Sequence, residues 1–312
     1  MKRLFQFMMI LVLLMFVGGV YLAVTGAFFS VLQPPDKKVE ANSILLLKLN
    51  GIILSSEKFI KQLNKYGRDD KIKAVVVRID SPGGAVGASQ ELYTEVKRFR
   101  NETKKPVIIS CQNVAASGAY YTAVAGDVIF ANAGTLMGSI GVIMEFANLA
   151  GLYDWAKIKR YTIQTGPFKD SGAEYRPMRE DEKALFQNMI NSVHMQFKTA
   201  VSESRNIALE KVEPYADGRV FTGESAVSLG FADKIGNLED AFKEAASRGG
   251  IKGKPVIFEP SSWREPMFFK MFKDGDDDEY SEATKVIGKL LRVDLVGMPL
   301  FLMPSVLEGG RD

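Results

Sequence analysis

Ser117 lies in Ala115-Ala116-Ser117-Gly118-Ala119-Tyr120-Tyr121, a run of small residues where a strand pattern gives way to a helical one. Two roles suit a serine at that junction. Its hydroxyl can cap the amides of the first helical turn, and on local evidence alone this is the stronger reading. The same position would also present Oγ at a helix N-terminus, where the dipole and the Gly118 N–H favour an oxyanion. Ala116 and Gly118 leave room for a substrate backbone. The motif is not G-x-S-x-G, so an α/β-hydrolase elbow has no support.

A second glycine-marked turn, Asp80-Ser81-Pro82-Gly83-Gly84, follows another strand pattern. Pro82 fixes φ, and the two glycines allow conformations closed to other residues. Such a turn leaves N–H groups free to bind a developing negative oxygen. Taken alone, it is an ordinary strand-to-helix turn just as readily.

Composition removes several other chemistries. The chain has one histidine and one cysteine. His194 sits in a helical run beside Met189, Ile190, Val193 and Phe197, the setting of a surface or packing residue. Any Ser–His–Asp triad would have to use it. No second imidazole or thiol exists to build a zinc site, so no metal and no cofactor are expected. Cys111, inside Val107-Ile108-Ile109-Ser110-Cys111, reads as an inert core thiol. With a net charge of +3 spread along the chain, nothing favours nucleic acid as a partner.

The elements that must position these residues alternate. Ile44–Leu49, Ile52–Leu54, Ile72–Ile79, Pro106–Cys111 and Val128–Phe130 read as strands. Ser56–Tyr66, Ala88–Arg100, Ser117–Ala125, Arg179–Arg205, Gly223–Leu229 and Leu238–Ser247 read as helices. Strands separated by single helices predict βαβ units and a largely parallel sheet, an α/β fold.

Four segments organise the chain. Residues 1–35 hold Leu4 to Leu32, an apolar run beyond the ~20 residues of a membrane span. It is expected to be a retained signal anchor ended by Pro34-Pro35; cleavage after Thr25-Gly26-Ala27 is the rival. Lys2 and Arg3 favour a cytoplasmic N-terminus, which Lys37 and Lys38 oppose. A linker spans 36–43, the main domain 44–260, and an extension 261–312. The extension carries the acidic run Asp274–Glu279, read as a solvated loop, and the apolar stretch Leu295–Leu307. That stretch is too short to span a bilayer. Packing on a neighbour, lying at a membrane surface and resting in a groove all suit it.

From about Ile44 to Pro260 the chain resembles the bacterial signal peptide peptidase A proteases in their short single-domain form. The likeness rests on an ordered set of motifs. They are Arg78–Gly84, Ala115–Tyr121, Ala131-Asn132-Ala133-Gly134-Thr135-Leu136-Met137-Gly138-Ser139-Ile140-Gly141-Val142, Gly166-Pro167-Phe168-Lys169-Asp170 and Asp217–Gly223. Ala119 departs from the pattern, which usually has a second glycine there; an alanine fits if its φ is negative. The resemblance implies a crotonase/Clp-protease-like spiral of βαβ units behind one N-terminal transmembrane helix. It implies Ser117 as nucleophile, Lys169 as general base, Ser139 as the hydroxyl that holds the base, and the Gly84 and Gly118 amides as oxyanion hole. It also implies a homo-oligomeric ring whose neighbouring subunits complete each groove. Substrates would be apolar peptides such as signal-peptide remnants, cut on the extracytoplasmic side of the bacterial cytoplasmic membrane.

A lysine base makes a demand. A free lysine titrates near ~10.4, so about one in 2,500 is neutral at pH 7. Becoming mostly neutral requires a fall of about 3–4 pH units, on the order of 4–5 kcal/mol of differential desolvation. Lys169 is therefore expected in a dry groove, with Asp170 directed elsewhere. Two alternatives use the same fold: a crotonase-type enzyme acting on coenzyme A thioesters, and an inactive membrane scaffold.

Overall fold

Leucine and β-branched residues in short runs form strands here because helices cover both faces of the resulting sheet. The computed structural model describes residues 38–260 and 299–302. The expected anchor at 1–35 and the acidic run at 274–279 lie outside the described residues. Among those described, no helix is long and apolar enough to cross a membrane.

β1 (Ser43–Asn50) and β2 (Ile72–Ser81) run parallel, joined through α1 (Glu57–Gly67). After β3 (Gly83–Ala85), α2 (Val86–Thr103) leads to β4 (Val107–Ala116), which lies parallel to β2. α3 (Gly118–Ala123), β5 (Val128–Ala131) and β6 (Leu136–Gly138) follow. Next come α4 (Ala150–Trp155), α5 (Glu180–Arg205) and α6 (Leu209–Val212). β7 (Val220–Thr222), α7 (Gly223–Ser228), β8 (Lys234–Ile235), α8 (Leu238–Arg248), β9 (Val256–Phe258) and β10 (Leu300–Leu302) complete the series.

Eight strands make one sheet in the order β7-β6-β4-β2-β1-β9, with β5 on β4 and β8 on β5. All its pairings are parallel except β6 with β7. The expected α/β fold and mostly parallel sheet are what the chain forms. The expected strand at Ile52–Leu54 is not: only Ile53 makes a bridge, to Gly84.

Side-chain alternation divides the core between the two faces. Leu45, Leu47, Leu49, Val75, Val77 and Ile79 pack with Leu92, Val96, Phe99 and Phe197 from α2 and α5. Ile44, Leu46, Ala74 and Val76 face Ala241, Phe242 and Ala245 of α8. Cys111 is buried in the first layer, and burial pushes its thiol up to about 12, as an inert core cysteine requires.

β4 changes partner midway. Ile108–Cys111 pair with β5, whereas Val114–Ala116 pair with β6. Against β2, Ile79 faces Cys111 but Ser81 faces Ala115, so Gln112, Asn113 and Val114 stand opposite Asp80 alone. This bulge bends β4 and sets the direction in which the chain reaches Ser117.

Candidate active site

The bulge is held from both sides. Asp80 Oδ1 accepts from the Asn113 amide at 3.3 Å and the Val114 amide at 3.1 Å, and Oδ2 accepts from Asn113 Nδ2 at 2.9 Å. Opposite, Thr135 Oγ1 donates to Gln112 O at 2.6 Å and Asn132 Nδ2 donates to Cys111 O at 3.2 Å. Asp80, Asn132 and Thr135 thus serve the bend in β4, a role that their motifs alone did not disclose.

Beyond the bend, Ser117 has φ 54° and ψ −120°, outside the regions that L-residues prefer. Holding such a residue costs about 1–3 kcal/mol and needs a surrounding that fixes it. Its N–H donates to Gly138 O at 2.7 Å, and its carbonyl accepts from the Tyr121 amide at 2.8 Å. The residue is only 1% exposed. Among the described residues its Oγ has no hydrogen-bond partner, and it caps no amide of α3. Ala119 lies inside α3 and is not among the positive-φ residues, so the alanine is accommodated.

Ser139 stands beside Ser117 across the β4–β6 pairing, since Ala116 faces Gly138. It too has positive φ, 50°, and its N–H donates to Arg219 O at 2.8 Å. Asp217 grips the Arg219 guanidinium at 2.6 Å. Gly138, at φ 88°, has no room for a side chain because the Phe221 ring covers it.

The Gly83-Gly84 pair meets the same place. Ile53 N–H donates to Gly83 O at 2.9 Å, and Ala85 N–H donates to Ile53 O at 2.7 Å. A Cβ on Gly84 would overlap the Ile53 backbone. One on Gly83 (φ 97°) would lie 2.7 Å from Gly118 N. Ser117, Gly118, Ser139 and the Gly83-Gly84 turn are therefore gathered around one point.

Lys169 is placed differently. It occupies a series of turns over 166–173, where its N–H donates to Gly166 O at 3.2 Å, and its side chain is exposed. No hydrogen bond joins it to Ser117 Oγ in the single chain. Asp170 is engaged by Arg176 at 2.9 Å, and that guanidinium holds its carboxyl down at about 2. Arg176 Nη2 also binds the fully buried Glu182 at 2.5 Å, lowering it to about 2. Arg179 reaches Glu182 at 3.0 Å and donates to Pro167 O at 2.7 Å. These ion pairs tie the Lys169 turns to the start of α5. His194 Nε2 lies 3.2 Å from Ile140 O and makes no bond to Ser117, so no triad forms around it.

The chain compares closely with known proteins. Residues 99–252 match the model of peptidase family S49, and residues 40–136 match that of Clp protease. A protein of Synechocystis sp. named as a protease is 38% identical over 255 residues, 81% of this chain and 91% of its own length. The chain belongs to peptidase family S49. The chloroplastic serine protease SPPA of Arabidopsis thaliana is 38% identical over 206 residues, 66% of this chain and 30% of that one. Protease 4 of Salmonella typhi is 28% identical over 241 residues, 74% of this chain and 38% of that one. The chain thus spans nearly all of the Synechocystis relative and well under half of the other two. Its Clp-protease-like α/β fold agrees with both matches.

Proposed function

We infer that this S49 peptidase is a membrane-anchored serine endopeptidase with Ser117 as nucleophile and Lys169 as general base. The observation that carries the reading is the condition of the Ser117 hydroxyl. A capping serine gives its oxygen to a helix amide; this one is buried, strained and without a partner among the described residues. An unpaired buried hydroxyl costs about 1–3 kcal/mol, and a waiting nucleophile accounts for it.

In the proposed reaction, an uncharged Lys169 amine takes the Oγ proton as Oγ attacks a peptide carbonyl. The resulting oxyanion is held by the Gly84 and Gly118 amides, each of which is worth about 10²–10³ in kcat by the usual cost of losing one donor. The ammonium then protonates the leaving amine, and water repeats the sequence on the acyl-enzyme. Ser139, beside Ser117, would orient the amine.

Lys169 is exposed in the single chain, whereas the proposed chemistry needs its amine out of water. Trp155, Tyr161, Ile163 and Phe168 are exposed on the same stretch of chain, an apolar set that supports coverage by a neighbouring copy. A ring assembled through this stretch would exclude water from the amine. The Leu4–Leu32 run supports a single-pass anchor in the bacterial cytoplasmic membrane, with the peptidase on the extracytoplasmic side. Apolar peptides left in that membrane, such as signal-peptide remnants, are the substrates that such a position offers.

The test is hydrolysis of an apolar peptide by the full-length protein in detergent, with products read by mass spectrometry. Ser117→Ala and Lys169→Ala should each lose at least about 10³ in kcat/KM, a triad-scale loss. Retention of the wild-type rate by either variant would remove that residue from the mechanism.

A further inference from the structure

The fold collects cations that the sequence scatters. β1, β2, β4 and β9 run parallel, so their first residues share one edge of the sheet, with Ser43 opposite both Ile72 and Val256. The turns that lead into these strands carry Lys71, Lys104, Lys252 and Lys254, and Lys73 is the second residue of β2. All five are exposed and make no ion pair among the described residues. The carboxylates without an ion pair in the same turns are Glu40, Asp69 and Asp70, so positive charge is in excess.

A pocket of about 440 Å³ opens at this edge where α2 and α8 end, lined by Arg100, Lys104, Lys105, Asp127 and Arg248. Gly249 brings the end of α8 against β2: a Cβ there would lie 3.0 Å from Lys73 O. Asp127 is already engaged, since one oxygen takes the Arg100 guanidinium and the other accepts the Val107 amide at 2.7 Å. Lys105 donates to Gly67 O and Asp69 O, each at 2.7 Å, which fixes its charge on the pocket wall. Glu244 takes Nε of Arg248 at 2.7 Å, and the Lys104 ammonium has no partner among the described residues. Helix C-termini by themselves favour cations over anions. Here their carbonyls are partly covered: Lys104 N–H donates to Arg100 O at 2.9 Å, Thr103 Oγ1 to Phe99 O at 2.7 Å and Gly249 N–H to Ala245 O at 2.8 Å. Four cations around one neutralised carboxylate suit a phosphate group, which accepts from several donors at once.

We propose that this edge docks on a bilayer of anionic phospholipid, with the phosphodiester of one headgroup in the pocket between Lys104 and Arg248 and the surrounding lysines over its neighbours. The lipid as source rests on the Leu4–Leu32 anchor proposed above. Eleven residues carry the chain from Leu32 to Ser43, a reach of at most about 40 Å. A nucleic acid would also offer phosphates, but only a membrane is brought within reach by the apolar run. β2 is ten residues long and ends at Ser81. The Gly83-Gly84 turn and Ser117 follow the far ends of the same strands, about 30 Å from the docked edge. A peptide must therefore leave the bilayer to be cut.

The test uses the full-length protein in vesicles of phosphatidylcholine alone and in vesicles of equal parts phosphatidylcholine and phosphatidylglycerol. Lysines are acetylated briefly with a water-soluble reagent and read by mass spectrometry. In the mixed vesicles Lys104, Lys252 and Lys254 should react at least about threefold more slowly, with the exposed Lys183 and Lys211 unchanged, and added salt should erase the difference. Lys104→Gln combined with Arg248→Gln should lose the protection of Lys252 and Lys254 while hydrolysing peptide in detergent at the wild-type rate. Equal labelling in both vesicles overturns the inference. Glycerophosphate, inorganic phosphate or a single-stranded oligonucleotide that shields Lys104 equally well in detergent overturns the lipid assignment. A carbonate wash separates the two readings. Protein that stays in the vesicles while its lysines label equally keeps the anchor and loses the docking face; protein that washes out of both vesicles removes the anchor and the inference with it.

Discussion

The carboxylate of Asp80 accepts from the amide of Val114 at 3.1 Å, across the bulge that turns β4 toward Ser117. With its two bonds to Asn113, this contact makes Asp80 a positioning residue. Asp80→Ala leaves the Val114 amide without its acceptor. A stability loss of about 1–3 kcal/mol is expected from the unmet donors. Peptide hydrolysis should fall at least tenfold through kcat with KM little changed, because Ser117, the proposed nucleophile, is displaced while the cleft remains. Parallel thermal unfolding and steady-state kinetics check both.

Ser117 carries backbone strain that an alanine would keep and a glycine would relieve. Both substitutions should abolish hydrolysis. Ser117→Gly should nonetheless be more stable than Ser117→Ala by about 1 kcal/mol at this φ, read as a higher melting temperature. Equal melting temperatures would show that the site holds no strain.

The alternation of strands and helices could be read from sequence because it depends on local pattern, and helices such as 180–205 fall where periodicity puts them. β3, β6 and β7 could not, since each is three residues long and exists only because a partner backbone meets it. Ser117 was visible as a serine at a strand-to-helix junction. What favours the proposed nucleophile over a cap is an Oγ unpaired among the described residues, and only the folded chain shows that. Nothing near Lys169 in sequence marks it among the many lysines; its motif matches the family, and its surroundings in one chain are open. Phe301 lies far along the chain from Gly84, in an apolar stretch whose length suited three different placements, and the β10–β3 register chose the groove.

Gly84 is fixed by its neighbour rather than by its own torsion. A methyl group there would overlap the Ile53 backbone, and backbone cannot swing aside as a side-chain tip can. Gly84→Ala should push β3 outward and carry the Gly84 amide off the cleft. A fall of about 10²–10³ in kcat is expected, the cost of one oxyanion donor. Gly134→Ala is the control: that glycine has open space around it and a φ outside the left-handed region, so activity should hold.

The exposed apolar residues Trp155 and Ile163 bear on assembly. Replacing both with aspartate places charge where a neighbouring copy would sit, and desolvating an unpaired carboxylate there is costly. Sedimentation should report smaller particles, and peptide hydrolysis should fall with them. The circular dichroism of the domain should not change, since neither side chain belongs to the core. A double variant that stays assembled and active would put the subunit contact elsewhere.

The Arg176 cluster sets a limit at low pH. Asp170 and Glu182 are both held at about 2, chiefly by hydrogen bonds from the Arg176 guanidinium. In the unfolded chain each would titrate near the ordinary carboxylate value of ~4. The folded state therefore binds fewer protons, and this contribution is complete above about pH 4–4.5. As pH falls further toward 2, protonation opposes folding and the contribution is lost. Melting temperature should accordingly drop through that acid window. Arg176→Met should lower stability at neutral pH by leaving the buried Glu182 with only Arg179, and should flatten the acid dependence. Because the same ion pairs tie down the turns that carry Lys169, the variant should also lose kcat at neutral pH before it unfolds. Wild-type kcat at temperatures well below the melting point would detach this network from the proposed base, Lys169.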